Sequence, residues 1–250
     1  MPDSSRPVAL VTGSATGVGR ACVLQFAARG YDVVVNYSRS ESDAKETLAE
    51  VRRTGAKSLL VRCDVSEDAG VRAMIVKINE TFGRLDVVVN NAATTKFIEH
   101  ADLERLTEPT WDRIFAVNLK GVFFVTRASA ELLRSGDGGA VVNISSVAGI
   151  TGRGSSIAYC ASQGALNTMT KSLALALAPQ VRVNAICPGP INSRWIKQGN
   201  PDLDIAEMVA GYPLPKASDP DDIAGAVLFF ACGTSMATGQ ILSVDGGQTL

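Results

Sequence analysis

Short apolar runs alternate with longer, more polar stretches from one end of this chain to the other. Val8–Val11, Asp32–Val35, Ser58–Val61, Asp86–Val89, Ala140–Ile144 and Val181–Ile186 are almost continuously apolar and rich in β-branched residues. Runs of that length and continuity predict strands buried on both faces. A seventh, Gln240–Val244, lies near the C-terminus. Between them, Gly19–Arg29, Ala44–Thr54 and Asp68–Phe82 carry helical spacing and stop near glycine or a turn. Strand–helix alternation predicts a doubly wound parallel sheet, because right-handed crossovers place helices on both of its faces. The chain shows no internal repeat, low-complexity tract or linker, so residues 1–250 read as one α/β domain.

Two helical stretches are too apolar for a solvent-facing position. Trp111–Leu133 holds Ile114, Phe115, Val117, Val122, Phe123, Phe124 and Val125, and Tyr159–Ala178 holds Leu166, Met169, Leu173, Leu175 and Leu177. Packing against the sheet accounts for part of this surface, and a second copy of the chain is expected to cover the rest.

Composition narrows the function classes. With 46% hydrophobic and 20% charged residues the chain can bury a sizeable core, and its net charge of −1 leaves no basic surplus. Nucleic-acid and anionic-membrane partners are therefore not expected. The five cysteines are odd in number, dispersed and lack a C-x-x-C pair, which suits core residues of a cytoplasmic protein in a reducing compartment. His100 is the lone histidine, so no His-rich metal site is expected. The leader, residues 1–6, is short and polar without a signal-peptide core.

The first strand runs into Thr12-Gly13-Ser14-Ala15-Thr16-Gly17-Val18-Gly19-Arg20. A glycine-rich turn opening a helix lets backbone amides approach a pyrophosphate at the positive end of the helix dipole. The fifth strand ends in Ser145-Ser146, and thirteen residues beyond Ser146 comes Tyr159-Cys160-Ala161-Ser162-Gln163. Residues four apart share one helix face, so Tyr159 and Gln163 stand together. Strand ends three, four and six carry Cys63-Asp64-Val65, Asn90-Asn91-Ala92-Ala93 and Cys187-Pro188-Gly189-Pro190-Ile191.

In this register the motifs closely resemble the classical short-chain dehydrogenase/reductase family, nearest its 3-oxoacyl-carrier-protein reductase branch, from Pro7 to Gly247. The resemblance implies a Rossmann-type seven-stranded parallel sheet flanked by helices on both faces, and commonly a homotetramer. It places a nicotinamide dinucleotide along Gly13, Ser14, Thr16, Gly17, Val18 and Gly19, then Asp64 and Val65. The same ligand is placed along Asn91, Ala92 and Ala93, and finally Tyr159, Pro188, Gly189, Ile191 and Ser193. The family's N-N-A-G ends here in Ala93, tolerable if its φ stays negative. Its usual threonine after the Pro-Gly turn is Ser193. No carboxylate stands at the second strand's end, where Tyr37, Ser38 and Arg39 suit a 2′-phosphate, so NADP(H) is expected over NAD(H).

By the same resemblance Tyr159 is the acid/base, Ser146 polarises the substrate carbonyl, and Asn118 anchors a relay water. The lysine expected four residues after the tyrosine is Gln163. A phenol titrates near 10 and needs a neighbouring cation, worth roughly 1–3 pKa units, to work near neutrality. Losing 2–3 units amounts to roughly 10²–10³ in rate. Arg153 and Lys96 are candidate replacement cations, whereas Lys171 points elsewhere on the helix. Three readings stay open: a slowed or rescued ketone/alcohol oxidoreductase, an NADP(H)-binding non-catalytic member (sensor, scaffold or partner subunit), or a lysine replaced in this chain. Residues 193–215, with Trp195, Ile196, Met208, Val209 and Tyr212, are expected to form a substrate lid over a moderately hydrophobic carbonyl or alcohol.

Overall fold

The computed structural model describes residues 6–136, 138–199, 201 and 203–250. Residues 1–5 of the expected leader, and Asn200 and Asp202 of the expected lid, lie outside that set. In chain order the elements are β1 (Val8–Val11), α1 (Gly17–Ala28), β2 (Asp32–Tyr37), α2 (Glu41–Arg53), β3 (Ser58–Arg62), α3 (Asp68–Phe82) and β4 (Val87–Asn90). They continue with α4 (Glu108–Phe115), a π-helical segment (Ala116–Gly121), α5 (Val122–Arg134), β5 (Gly139–Ile144), α6 (Ala148–Thr151) and α7 (Ile157–Leu177). The last are β6 (Val181–Pro188), α8 (Arg194–Gly199), α9 (Ile205–Val209), α10 (Pro220–Leu228), a second π-helical segment (Phe229–Gly233) and β7 (Ile241–Val244).

All seven apolar runs form strands, and they make one parallel sheet in the order β3-β2-β1-β4-β5-β6-β7. Alternation along the strands divides the core. Ala9, Val11, Val33 and Val35 pack with Phe26, Leu48, Ile223 and Val227 beneath α1, α2 and α10. Val8, Leu10 and Val34 point the other way, onto Met74, Ile78, Val125, Leu133 and Ala174 of α3, α5 and α7. Both faces of the central strands are therefore buried, which is why those strands carry no polar alternation.

The order reverses between β1 and β4, and crevices at the carboxyl ends of strands open at such a switch point. The stretch expected as one helix, Trp111–Leu133, is interrupted by the π-helical segment around Asn118. Such widened turns gather at functional sites, because they leave main-chain groups out of the regular ladder.

Candidate active site

The glycine turn is built to receive an anion. Gly13 and Gly17 have φ of +62° and +56°, a region that costs other residues energy. No side chain caps the first turn of α1, and no acidic residue stands in it. Its first N–H groups thus lack the usual cap, and the dipole end faces the crevice uncompensated. A Cβ at Gly19 would lie 2.5 Å from Asn91 Nδ2 and 2.6 Å from Gly13 O, so the helix enters tight against the turn.

Two residues of that segment serve the fold. The Ser14 hydroxyl donates to Val11 O at 2.8 Å and accepts from Asn36 N at 3.1 Å, while Ser14 N donates to Asn36 O. With its donors spent and no exposed surface, Ser14 braces β1 against β2 instead of meeting a phosphate. Asn36 completes the brace, accepting from Gly13 N and donating to Val61 O and Cys63 O. On the other side, Thr12 Oγ1 accepts from both Asn91 N and Ala92 N at 3.0 Å.

At the ends of β2 and β3 lies a cavity of about 470 Å³ lined by Ser38, Arg39, Arg62, Cys63, Asp64, Glu67 and Gly70. The Tyr37 ring, expected at the cofactor, is buried in the core under α1 and α2, leaving Ser38 and Arg39 on the cavity wall. Val65 is likewise buried, so close to the π-helical segment that a Cβ at Gly121 would meet its Cγ2 at 2.8 Å. Asp64 is already engaged: Oδ1 accepts from Ser66 N and Oγ, and Oδ2 accepts from Arg113 Nη2 at 2.9 Å. Burial pushes its carboxyl up, but Ser66 and Arg113 outweigh it and hold the group below the usual carboxylate range. Ala93 keeps a negative φ, since no described non-glycine residue has a positive one.

Serine and tyrosine meet where β5 ends and α7 begins. Ser156 Oγ accepts from Tyr159 N and so caps α7, placing Tyr159 in its first turn. The phenol lies beside the Ser146 hydroxyl, whose oxygen accepts from Ala148 N at 3.1 Å, leaving its proton for the phenol oxygen. Ser145 turns the other way and donates to Gln163 O at 3.2 Å. Asn118 is locked from both ends: Oδ1 accepts from Thr94 N, while Nδ2 donates to Thr94 O and to Ser162 Oγ at 3.1 Å.

Burial is the main influence on the Tyr159 phenol and pushes it up to about 12, with the Cys160 and Cys187 thiols adding to the rise. Ser146 and Gln163 pull it down, and no cation is among its partners. Arg153 and Lys96, the candidate replacements, are both exposed. Gln163 is 1% exposed, and its Oε1 has no hydrogen-bond partner among the described residues. An unmatched buried acceptor costs about 1–3 kcal/mol, so the fold carries a strained polar group beside the phenol.

A family model described as enoyl-(acyl carrier protein) reductase matches residues 13–249. A ketoacyl reductase of the granaticin polyketide synthase of Streptomyces violaceoruber is 43% identical over 245 residues, covering 98% of this chain and 96% of the relative. A solved structure described as a short-chain dehydrogenase/reductase from Burkholderia xenovorans superimposes with a TM-score of 0.92 at 36% identity, covering 98% of each chain. The chain belongs to the short-chain dehydrogenase/reductase family. A solved structure of NAD⁺-bound xylitol dehydrogenase is more distant, at 28% identity and a TM-score of 0.89, covering 96% of this chain and 98% of the other.

As a short-chain dehydrogenase/reductase the protein is an oxidoreductase acting on ketone or alcohol substrates. The turn Pro188-Gly189-Pro190-Ile191 is pinned near the site: Gly189 N donates to Val244 O, and Ile191 bridges Ser218. Ser193 follows it and leads into α8 and α9, which occupy the segment expected as a lid. Trp195 and Met208 there are exposed, while Val209 is buried. Among the described residues no helix is long and apolar enough to cross a membrane.

Sequence reasoning missed Arg62 on the cavity wall and the bracing roles of Thr12 and Asn36. Arg62 was hidden because only the parallel register of β2 with β3 sets it opposite Tyr37. The bonds of Asn36 span 22 to 27 positions and leave no local pattern.

Proposed function

We propose that this protein is an NADP(H)-dependent oxidoreductase that interconverts a ketone and a secondary alcohol, slowed by glutamine at the position where the family holds lysine. A nicotinamide dinucleotide, when bound, supplies the hydride donor or acceptor. The uncapped start of α1, the tight approach of Gly19 to Asn91 and the unmatched Gln163 Oε1 all fit such a group. Thr16, Gly17, Val18 and Gly19 would hold its pyrophosphate by main-chain contact, while Gly13, whose N–H is spent on Asn36 Oδ1, would shape the turn. Ala92, Ala93, Pro188, Gly189, Ile191 and Ser193 would line the nicotinamide side, with Ser38, Arg39 and Asp64 at the adenosine end.

The protein's own part is proton work. Tyr159 gives a proton to the carbonyl oxygen in reduction, or takes one from the hydroxyl in oxidation. Ser146 donates a hydrogen bond to the same oxygen, and Asn118 holds the turn beside them. Gln163 can meet ribose hydroxyls with its Oε1 and Nε2, which replaces the hydrogen bonds of an ammonium but not its charge. The observation that carries this reading is the phenol itself, beside Ser146 and Gln163 and held at about 12, with no cation among its partners in the described residues.

That high phenol value also favours a second reading, a dinucleotide-binding protein with little turnover. Titrating the protein with NADPH and NADH by fluorescence, then assaying a ketone panel, separates the two. Tight NADPH binding with slow turnover of at least one ketone is the expected result; binding without turnover of any ketone selects the second reading.

In this reading residues 1–250 act as one catalytic domain in the cytoplasm, with 193–215 as the substrate lid. Similarity to a ketoacyl reductase supports a ketone, and the apolar residues of 193–215 support one of moderate hydrophobicity. Phe123 of α5 and Leu175 of α7, 38% and 84% exposed, support assembly with further copies, as a tetramer.

A further inference from the structure

The cavity at the ends of β2 and β3 contains a second arginine beside Arg39. Arg62 closes β3 directly opposite Tyr37 in the parallel register, and its Nε donates to Ser38 O at 3.3 Å. That bond ties the guanidinium stem to the wall that carries Ser38 and Arg39. Two cations thus line the cavity, one from the end of β3 and one from the turn after β2.

The opposing charges decide whether an anion is welcome there. Asp64 and Glu67 line the same cavity. Asp64 is matched by Arg113 from α4, at 2.9 Å, so it cancels neither cavity arginine. Glu67 offsets one. Glu41 begins α2 close enough to feel Arg62, but it is paired with Lys45 at 2.7 Å. One arginine's charge remains in surplus, and it suits a phosphate monoester better than a free hydroxyl.

We infer that Arg62 is a specificity-determining residue: with Arg39 and Ser38 it forms a two-arginine clamp for the adenosine 2′-phosphate, so preference for the phosphorylated dinucleotide depends on β3 as well as β2. The inference rests on the NADP(H) reading above. Arg62 is exposed at the end of an edge strand, and its replacement leaves the sheet's core contacts in place.

The test is fluorescence titration of the wild-type protein, Arg62→Met and Arg62→Lys with NADPH and NADH, with 2′,5′-ADP and 5′-AMP as competitors. Wild type is expected to prefer NADPH at least tenfold. Arg62→Met is expected to weaken NADPH and 2′,5′-ADP by roughly 10- to 100-fold and leave NADH and 5′-AMP within twofold. Arg62→Lys is expected to recover part of the loss. A wild-type preference that survives Arg62→Met unchanged overturns the clamp while sparing the NADP(H) reading. Equal weakening of both dinucleotides also overturns it, since Arg62 would then be shaping the cavity for either. A wild-type protein that does not discriminate at all overturns the clamp and the NADP(H) reading together.

Discussion

Gly149 of α6 lies directly against the main chain of Gln163 on α7. A Cβ at Gly149 would stand 2.5 Å from Gln163 C and 2.6 Å from Gly164 N, closer than any side chain can approach a peptide unit. The helix that follows Ser146 is thereby pressed onto the turn of α7 carrying Gln163, and the bond from Ser145 Oγ to Gln163 O closes the same contact. Serine, phenol and glutamine thus share one rigid joint.

Gly149→Ala forces that joint open. Overpacking of this kind costs about 1–3 kcal/mol, or roughly 2–4 °C per kcal/mol in a domain of this size. The melting temperature is expected to fall by at least ~2 °C and turnover to fall further than stability explains, because Ser146 moves away from Tyr159. Calorimetry and steady-state kinetics on the same preparation check both.

Gln163→Met removes the unmatched Oε1 while keeping length and shape. Relief of about 1 kcal/mol is expected, raising the melting temperature by ~2–4 °C without ligand. Dinucleotide affinity is expected to fall at the same time. A variant that is less stable than wild type would show that the amide's bond to the Tyr159 phenol, lost in the same change, outweighs the relief at Oε1.

Tyr159→Phe and Ser146→Ala separate the proton from the hydrogen bond. Loss of the phenol is expected to lower kcat by about 10²–10⁴, and loss of the hydroxyl by about 10²–10³. Both proteins are expected to keep NADPH affinity within a few fold and fold normally by circular dichroism. Ser145→Ala, by contrast, is expected to act through stability, since that hydroxyl faces the Gln163 carbonyl.

The strands were legible because parallel strands covered on both faces must be apolar at nearly every position, and Val8–Val11 or Val87–Asn90 announce themselves that way. The glycine turn was legible because Gly13, Gly17 and Gly19 have separate physical reasons to be glycine. Side-chain direction was not. Ser14 and Tyr37 occupy the expected positions but turn inward, one to bond Val11 and Asn36, the other into the core. The π-helical turn at Asn118 was hidden as well, since Ala116–Gly121 has the composition of ordinary helix.

The absent ammonium is the centre of this account, and the pH dependence of alcohol oxidation reads it directly. In the proposed mechanism the base is the phenolate, so below the phenol pKa the rate is expected to rise roughly tenfold per pH unit. With the phenol at about 12, wild-type oxidation with NADP⁺ is expected to climb from pH 7 through pH 10 without a plateau. Gln163→Lys puts a cation beside the phenol and is expected to bring the break down by roughly 1–3 units, with turnover at pH 7.5 at least tenfold higher. A wild-type plateau below pH 9, or no gain from Gln163→Lys, would contradict it.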